Sequence, residues 1–142
     1  MSRIWSPNTK FSLWRKWWLS LATAQQELGL DITDEQLNEM KAHLEDINYE
    51  DAEAKEKELR HDVMSHIYAW GLLCPNAAGI IHLGATSQYV NCNSEIIQLM
   101  DSMKLIQRKL TKVISSLSQF ASDHKDLPTL GFTHYQPAQL VT

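Results

Sequence analysis

Apolar and polar positions alternate along the chain with the period of helices. From Lys10 to Leu28, the residues Trp14, Trp17, Trp18, Leu21 and Leu28 share one face, and Gly29 ends the segment. Thr33 followed by Gln36 is the pattern of a capping box, after which Leu37, Met40 and Leu44 make the buried stripe of a short second helix. A third helix is predicted from Tyr49 to about Leu73. Its first half, Glu50 to Glu58, is a charge run that reads as a solvated face with i,i+4 pairs such as Glu53–Lys57. Its second half carries Leu59, Val63, Ile67 and Trp70 at core spacing. Pro75 stops it, and the stretch to Ser87, with Gly79 and Gly84, reads as a loop.

The fourth predicted helix, from about Asn93 to Ser122, is the most regular. Ile96, Leu99, Met103, Ile106, Leu110, Val113, Leu117 and Phe120 recur at alternating spacings of three and four, a sustained heptad seam. Ile97, Met100, Ile114 and Ala121 widen that seam, so the helix is expected to touch more than one neighbour. At ~1.5 Å per residue it is roughly 45 Å long, whereas a compact chain of this size is only about 37 Å across. The helix therefore calls for partners outside the chain. The last stretch, from Thr129, contains Gly131 and Pro137 and reads as extended or turn structure.

Length and composition narrow the class. The 142 residues are one domain's worth, with 44% hydrophobic and 21% charged residues, as in ordinary soluble globular proteins. A net charge of −4 argues against nucleic acid as the partner, and no segment approaches the ~20 apolar residues of a membrane span. Arg15-Lys16 before Trp17 and Trp18 has the outline of a signal peptide, but the apolar run is short and its spacing is helical. Two cysteines, Cys74 and Cys92, are too few for a disulfide scaffold and fit no zinc motif, which favours a reducing, cytoplasmic compartment.

Three stretches carry candidate chemistry. None is a metal site: there is no His-x-x-x-His or Cys-x-x-Cys, and His61 and His66 are five apart, about 140° around a helix. The stretch from Gly79 to Thr86 imitates a phosphate-binding loop but has Ala85 where the lysine belongs. What remains is a turn presenting Thr86 and Ser87, either an anion cradle or a plain helix cap. Arg60, His61 and Asp62 set a cation, a switchable base and a carboxylate side by side, as surface decoration or as a site. His134 stands between Thr133 and Gln136, neighbours able to set its tautomer, and imidazole is suited to exchange protons at neutral pH.

Three strings decide among these readings: Arg60-His61-Asp62-Val63-Met64, the run from Ala78 to Ser87, and the run from Thr129 to Gln139. Together they closely resemble the adenylosuccinate lyases, a purine-synthesis branch of the fumarase/aspartase superfamily, over essentially the whole chain. The resemblance implies an all-α fold: an N-terminal helical domain over residues 1–88, then over 89–142 the first long helix of the superfamily's helical bundle, cut short. It implies a homotetramer in the full-length form. It also implies β-elimination of fumarate from adenylosuccinate, giving AMP, and from the related succinyl carboxamide intermediate.

On the same resemblance His134 is the catalytic acid. Arg60, His61, Asp62, Thr86, Ser87 and Thr133 bind a purine nucleotide substrate, and no cofactor or metal is required. One departure is local: Asn91-Cys92-Asn93 stands where the family usually has a Gly-Asp-Asn-like step. The other is length, since the family's loop carrying the serine base lies downstream of Thr142. The chain alone is therefore expected to be an inactive N-terminal fragment. The competing expectation is a non-catalytic module that docks on full-length lyase subunits through its heptad seam.

Overall fold

In the computed structural model, which describes residues 1–142, five helices precede one β-hairpin. Helix α1 covers Pro7–Glu27, α2 Asp34–Ala42, α3 Tyr49–Leu59, α4 Asp62–Leu73 and α5 Ser87–His124. Strands β1 (Thr129–Thr133) and β2 (Gln136–Val141) pair antiparallel. The chain divides into two compact units, Met1–Ser102 and Met103–Thr142. No helix is long and apolar enough to cross a membrane.

Local chemistry explains the helix boundaries. Ser6 caps α1 by accepting the Thr9 amide at 3.2 Å, and Pro7 occupies a first-turn position where its missing N–H costs nothing. Thr33 and Gln36 form the expected capping box: the Gln36 amide donates to Thr33 Oγ1 at 3.3 Å, and the Thr33 amide donates to Gln36 Oε1 at 2.9 Å. The single helix expected over Tyr49–Leu73 is in fact two. Arg60 takes the left-handed conformation (φ 55°, ψ 38°) and ends α3, and His61 caps α4 by accepting the Met64 amide on Nδ1 at 3.3 Å. An imidazole is an uncommon cap and Arg60 is not a glycine, so neither residue announces the break.

Helix α5 begins six residues earlier than periodicity alone suggests and reaches His124, 38 residues or about 57 Å at ~1.5 Å each. Asn91 and Asn93 are poor helix formers, yet Val90, Ser94, Gln98 and Ser102 of this stretch are buried in the first unit. Packing overrides propensity there. The eight seam residues from Ile96 to Phe120 are 41–62% exposed.

The core of the first unit is aromatic. Trp14, Trp18 and Trp70 are fully buried with Met40, Val63, Cys74 and Val90, and Trp18 packs on Trp14 and Trp70 at centroid distances of 6.0 and 5.9 Å. Arg15, 1% exposed, runs through this core. Its Nη1 donates to the carbonyls of His43 (2.6 Å) and Asp46 (2.7 Å), and its Nη2 donates to Asn48 Oδ1 (3.0 Å). Burial brings its pKa down to about 10, with Cys74, Asp46 and Glu45 opposing, so it remains charged at neutral pH. One guanidinium thus closes the loop between α2 and α3.

His66, 8% exposed, stacks on Phe11 at 3.7 Å and meets Trp14 edge-on at 5.6 Å. Burial, then the charge of Arg15, push its pKa down to about 4, with Asp62 opposing and Lys10 adding a smaller push. The unfolded chain, with an ordinary imidazole near 6.5, binds a proton that the folded chain refuses between those values. Stability is therefore unaffected by this group above about pH 6.5, falls as pH drops below it, and levels off near pH 4 after a loss of about 3 kcal/mol. Denaturant titrations at pH 7 and 4.5 should show that loss, and His66→Phe should remove most of it. An unchanged acid slope in the variant would assign the loss to other groups.

In the second unit the hairpin register pairs Thr133 with Gln136, leaving His134 and Tyr135 as a two-residue loop with both φ values positive (51° and 60°). Such loops ordinarily use Asn-Gly, which is why the sequence reads here as a turn without announcing a hairpin. The register shifts between Leu130 and Phe132. Gly131 lies in that shift, where a Cβ would come within 3.1 Å of the Gln139 carbonyl oxygen.

Candidate functional site

The junction of α3 and α4 and the start of α5 bring part of the expected site together. Because the Met64 amide donates to His61 Nδ1, the neutral ring carries its proton on Nε2. That nitrogen lies 3.3 Å from Ser87 Oγ, the first residue of α5. His61 therefore donates to Ser87, and the Ser87 hydroxyl proton is left to point at a ligand. Thr86, exposed, immediately precedes α5, and its carbonyl accepts the Tyr89 amide at 2.9 Å. The first-turn amides of α5 add the partial positive charge of a helix start.

Asp62 opens α4. Its Oδ1 accepts the Val63 amide at 2.8 Å and its Oδ2 lies 3.9 Å from Lys10 Nζ, while His61 Nδ1 is 3.9 Å from Oδ1. The carboxylate is thus partly occupied in shaping the turn. Arg60 is exposed and borders a groove of about 430 Å³ with Glu53, Glu56 and Lys57. The His61 carbonyl accepts both the Ser65 amide (3.1 Å) and the Ser65 hydroxyl (2.7 Å), which anchors the junction to the buried side of α4.

His82 joins this cluster although sequence reasoning did not single it out. Its Nδ1 accepts the Trp18 indole N–H at 2.9 Å, and its backbone is left-handed (φ 67°). Burial and then the neighbouring His61 lower its pKa, so the ring is neutral at neutral pH. The signal in the sequence was weak: one histidine of six, four residues before Thr86, with its partner Trp18 far away along the chain. A non-glycine residue held at positive φ is the structural mark that sequence reading lacks.

Thr133 and His134 belong to the second unit, at the hairpin tip, where both are exposed. Tyr135 beside them is 98% exposed. No group of three or more His, Cys, Asp or Glu side chains is arranged to hold a metal ion. The first unit offers a set of hydrogen-bond donors, suited to an anionic oxygen, and the second a separate imidazole.

Residues 8–142 match the sequence family described as Lyase. The chain is similar over its whole length to the adenylosuccinate lyases of Schizosaccharomyces pombe (51% identical) and Saccharomyces cerevisiae (50%). It is 49% identical over 94% of its length to that of Schistosoma mansoni. It spans about 30% of the length of the two fungal relatives and 28% of the third. Among solved structures, the 3-carboxy-cis,cis-muconate lactonizing enzyme of Pseudomonas putida superposes with a TM-score of 0.85 at 27% identity, covering 98% of this chain and 33% of that one. A fumarate lyase from Mesorhizobium sp. BNC1 shares the fold, with a TM-score of 0.85, 24% identity and the same two coverages.

Proposed function

Because the chain belongs to the lyase family over residues 8–142, we propose that it forms the first third of an adenylosuccinate lyase. The reaction is a β-elimination. A base removes a proton from the succinyl carbon next to a carboxylate, the electron pair becomes the new C=C bond of fumarate, and the C–N bond breaks with its electrons on the purine nitrogen. That nitrogen takes a proton and leaves as AMP, or as the carboxamide nucleotide when the succinyl carboxamide is the substrate.

Negative charge accumulates on the succinyl carboxylate during proton removal, and fixed donors aimed at it lower the barrier. The observation that carries this reading is the hydrogen bond from His61 Nε2 to Ser87 Oγ, which leaves the serine proton for a carboxylate oxygen. Thr86 and His82 add donors, Arg60 and Thr133 further polar contacts, and Asp62 holds the turn. His134 is the general acid for the departing nitrogen. None of the residues named here is assigned the role of base. The exposed stripe on α5 supports assembly into a homotetramer.

The test is a chimera in which this chain replaces the corresponding third of the S. pombe relative. The chimera is expected to release fumarate from adenylosuccinate, and the 142-residue chain alone to show no measurable activity. A folded chimera that leaves adenylosuccinate untouched would sink the assignment. The same stripe favours one second reading, a module that docks on full-length subunits without catalysing. On that reading the chain co-purifies with the S. pombe enzyme, and the chimera is inactive.

A further inference from the structure

We infer that Trp18 is a positioning residue: its indole N–H fixes His82 as the Nε2–H tautomer, so that His82 meets a ligand as a hydrogen-bond donor and not as a base. An indole nitrogen only donates. At 2.9 Å from His82 Nδ1 it occupies that nitrogen's lone pair, and the ring proton of the neutral imidazole must then sit on Nε2. The two rings stand nearly perpendicular, at 84° with centroids 6.0 Å apart, in an edge-on contact.

The indole is not free to turn away. Trp18 is 1% exposed and wedged between Trp14 and Trp70. On the other side, the Ala85 amide donates to the His82 carbonyl at 3.2 Å, and Gln25 Nε2 donates to the Leu83 carbonyl at 2.8 Å, pinning the strained turn. His61 is built on the same plan, with a backbone amide on its Nδ1. Both imidazoles therefore carry their proton on Nε2, that of His61 directed to Ser87 Oγ and that of His82 offered to an anionic oxygen, and neither ring relays a proton to the other. Ordinary solvated histidine samples both tautomers, and a core tryptophan here removes the choice.

What His82 Nε2–H meets, a substrate oxygen, rests on the lyase reading; the tautomer does not. In the 15N-labelled 142-residue chain, a scalar coupling across the Trp18 N–H to His82 Nδ1 bond is expected, with a pyridine-type Nδ1 and a pyrrole-type Nε2. In Trp18→Phe the coupling disappears, and the two ring nitrogens move toward the averaged shifts of a histidine that samples both tautomers. A pyrrole-type Nδ1 in the wild-type chain, or no coupling to Trp18, would overturn the inference, and both are read without any variant having to fold.

In the active chimera Trp18→Phe is expected to lower kcat about tenfold with little change in KM, the loss of one hydrogen bond to a group whose charge grows in the transition state. A kcat within about twofold of the parent chimera would overturn the donor role. An inactive chimera with the coupling intact removes the lyase reading and leaves the tautomer standing.

Discussion

Arg15→Met is expected to cost the chain about 3–5 kcal/mol of folding stability, enough to unfold a domain of ordinary stability. Methionine matches the length and fills the space beside Trp70, whose ring lies 5.3 Å from the guanidinium carbon. It donates nothing, so the carbonyl of Asp46 and the amide oxygen of Asn48 lose a short, charge-assisted bond each. The His43 carbonyl retains only the Trp70 indole at 3.1 Å. Leaving partly buried acceptors bare costs more than the bonds themselves contributed. Arg15→Lys keeps the charge but reaches these acceptors from a single nitrogen and should recover only part of the loss. Urea unfolding with an unchanged slope and a lowered midpoint is the expected result. A loss under about 1 kcal/mol would mean that water takes over these carbonyls.

His134→Asn in the S. pombe chimera is expected to lower kcat by about 10²–10⁴-fold, the usual worth of a positioned proton donor, with a much smaller change in KM. Asparagine is also the better fit to the torsion, since it accepts positive φ more readily than other non-glycine residues. The hairpin should therefore form at least as well in the variant, and lost activity cannot be blamed on a misfolded tip. A variant keeping more than about a tenth of wild-type kcat would take the general-acid role away from His134.

Elements set by neighbours within four residues were legible in advance. The Thr33 capping box, the Gly29 stop and the tryptophan face of α1 all follow from short-range spacing. Features that depend on distant contacts were not. Nothing near Arg15 in the sequence signals its burial, which depends on carbonyls 28 and 31 positions away. The α3–α4 break depends on an arginine in a glycine's conformation and a histidine cap, and the early start of α5 on burial of Ser94 and Gln98 against propensity.

The candidate site divides in the same way. The motif strings pointed to Arg60, His61, Asp62, Thr86 and Ser87, and the structure joins His61 to Ser87. His82 became visible only through Trp18, 64 positions away along the chain.

Four non-glycine residues have left-handed backbones: Arg60, His82, His134 and Tyr135. Three of them carry groups proposed for substrate binding or proton transfer. Natural drift toward torsional comfort would place glycine at these positions, and the same exchange would delete the guanidinium or imidazole. Robustness and turnover are thus set against each other at the level of single codons. A lineage freed from the need for catalysis would be expected to shed its discomfort at 60, 82 and 134 while leaving the tryptophan core alone.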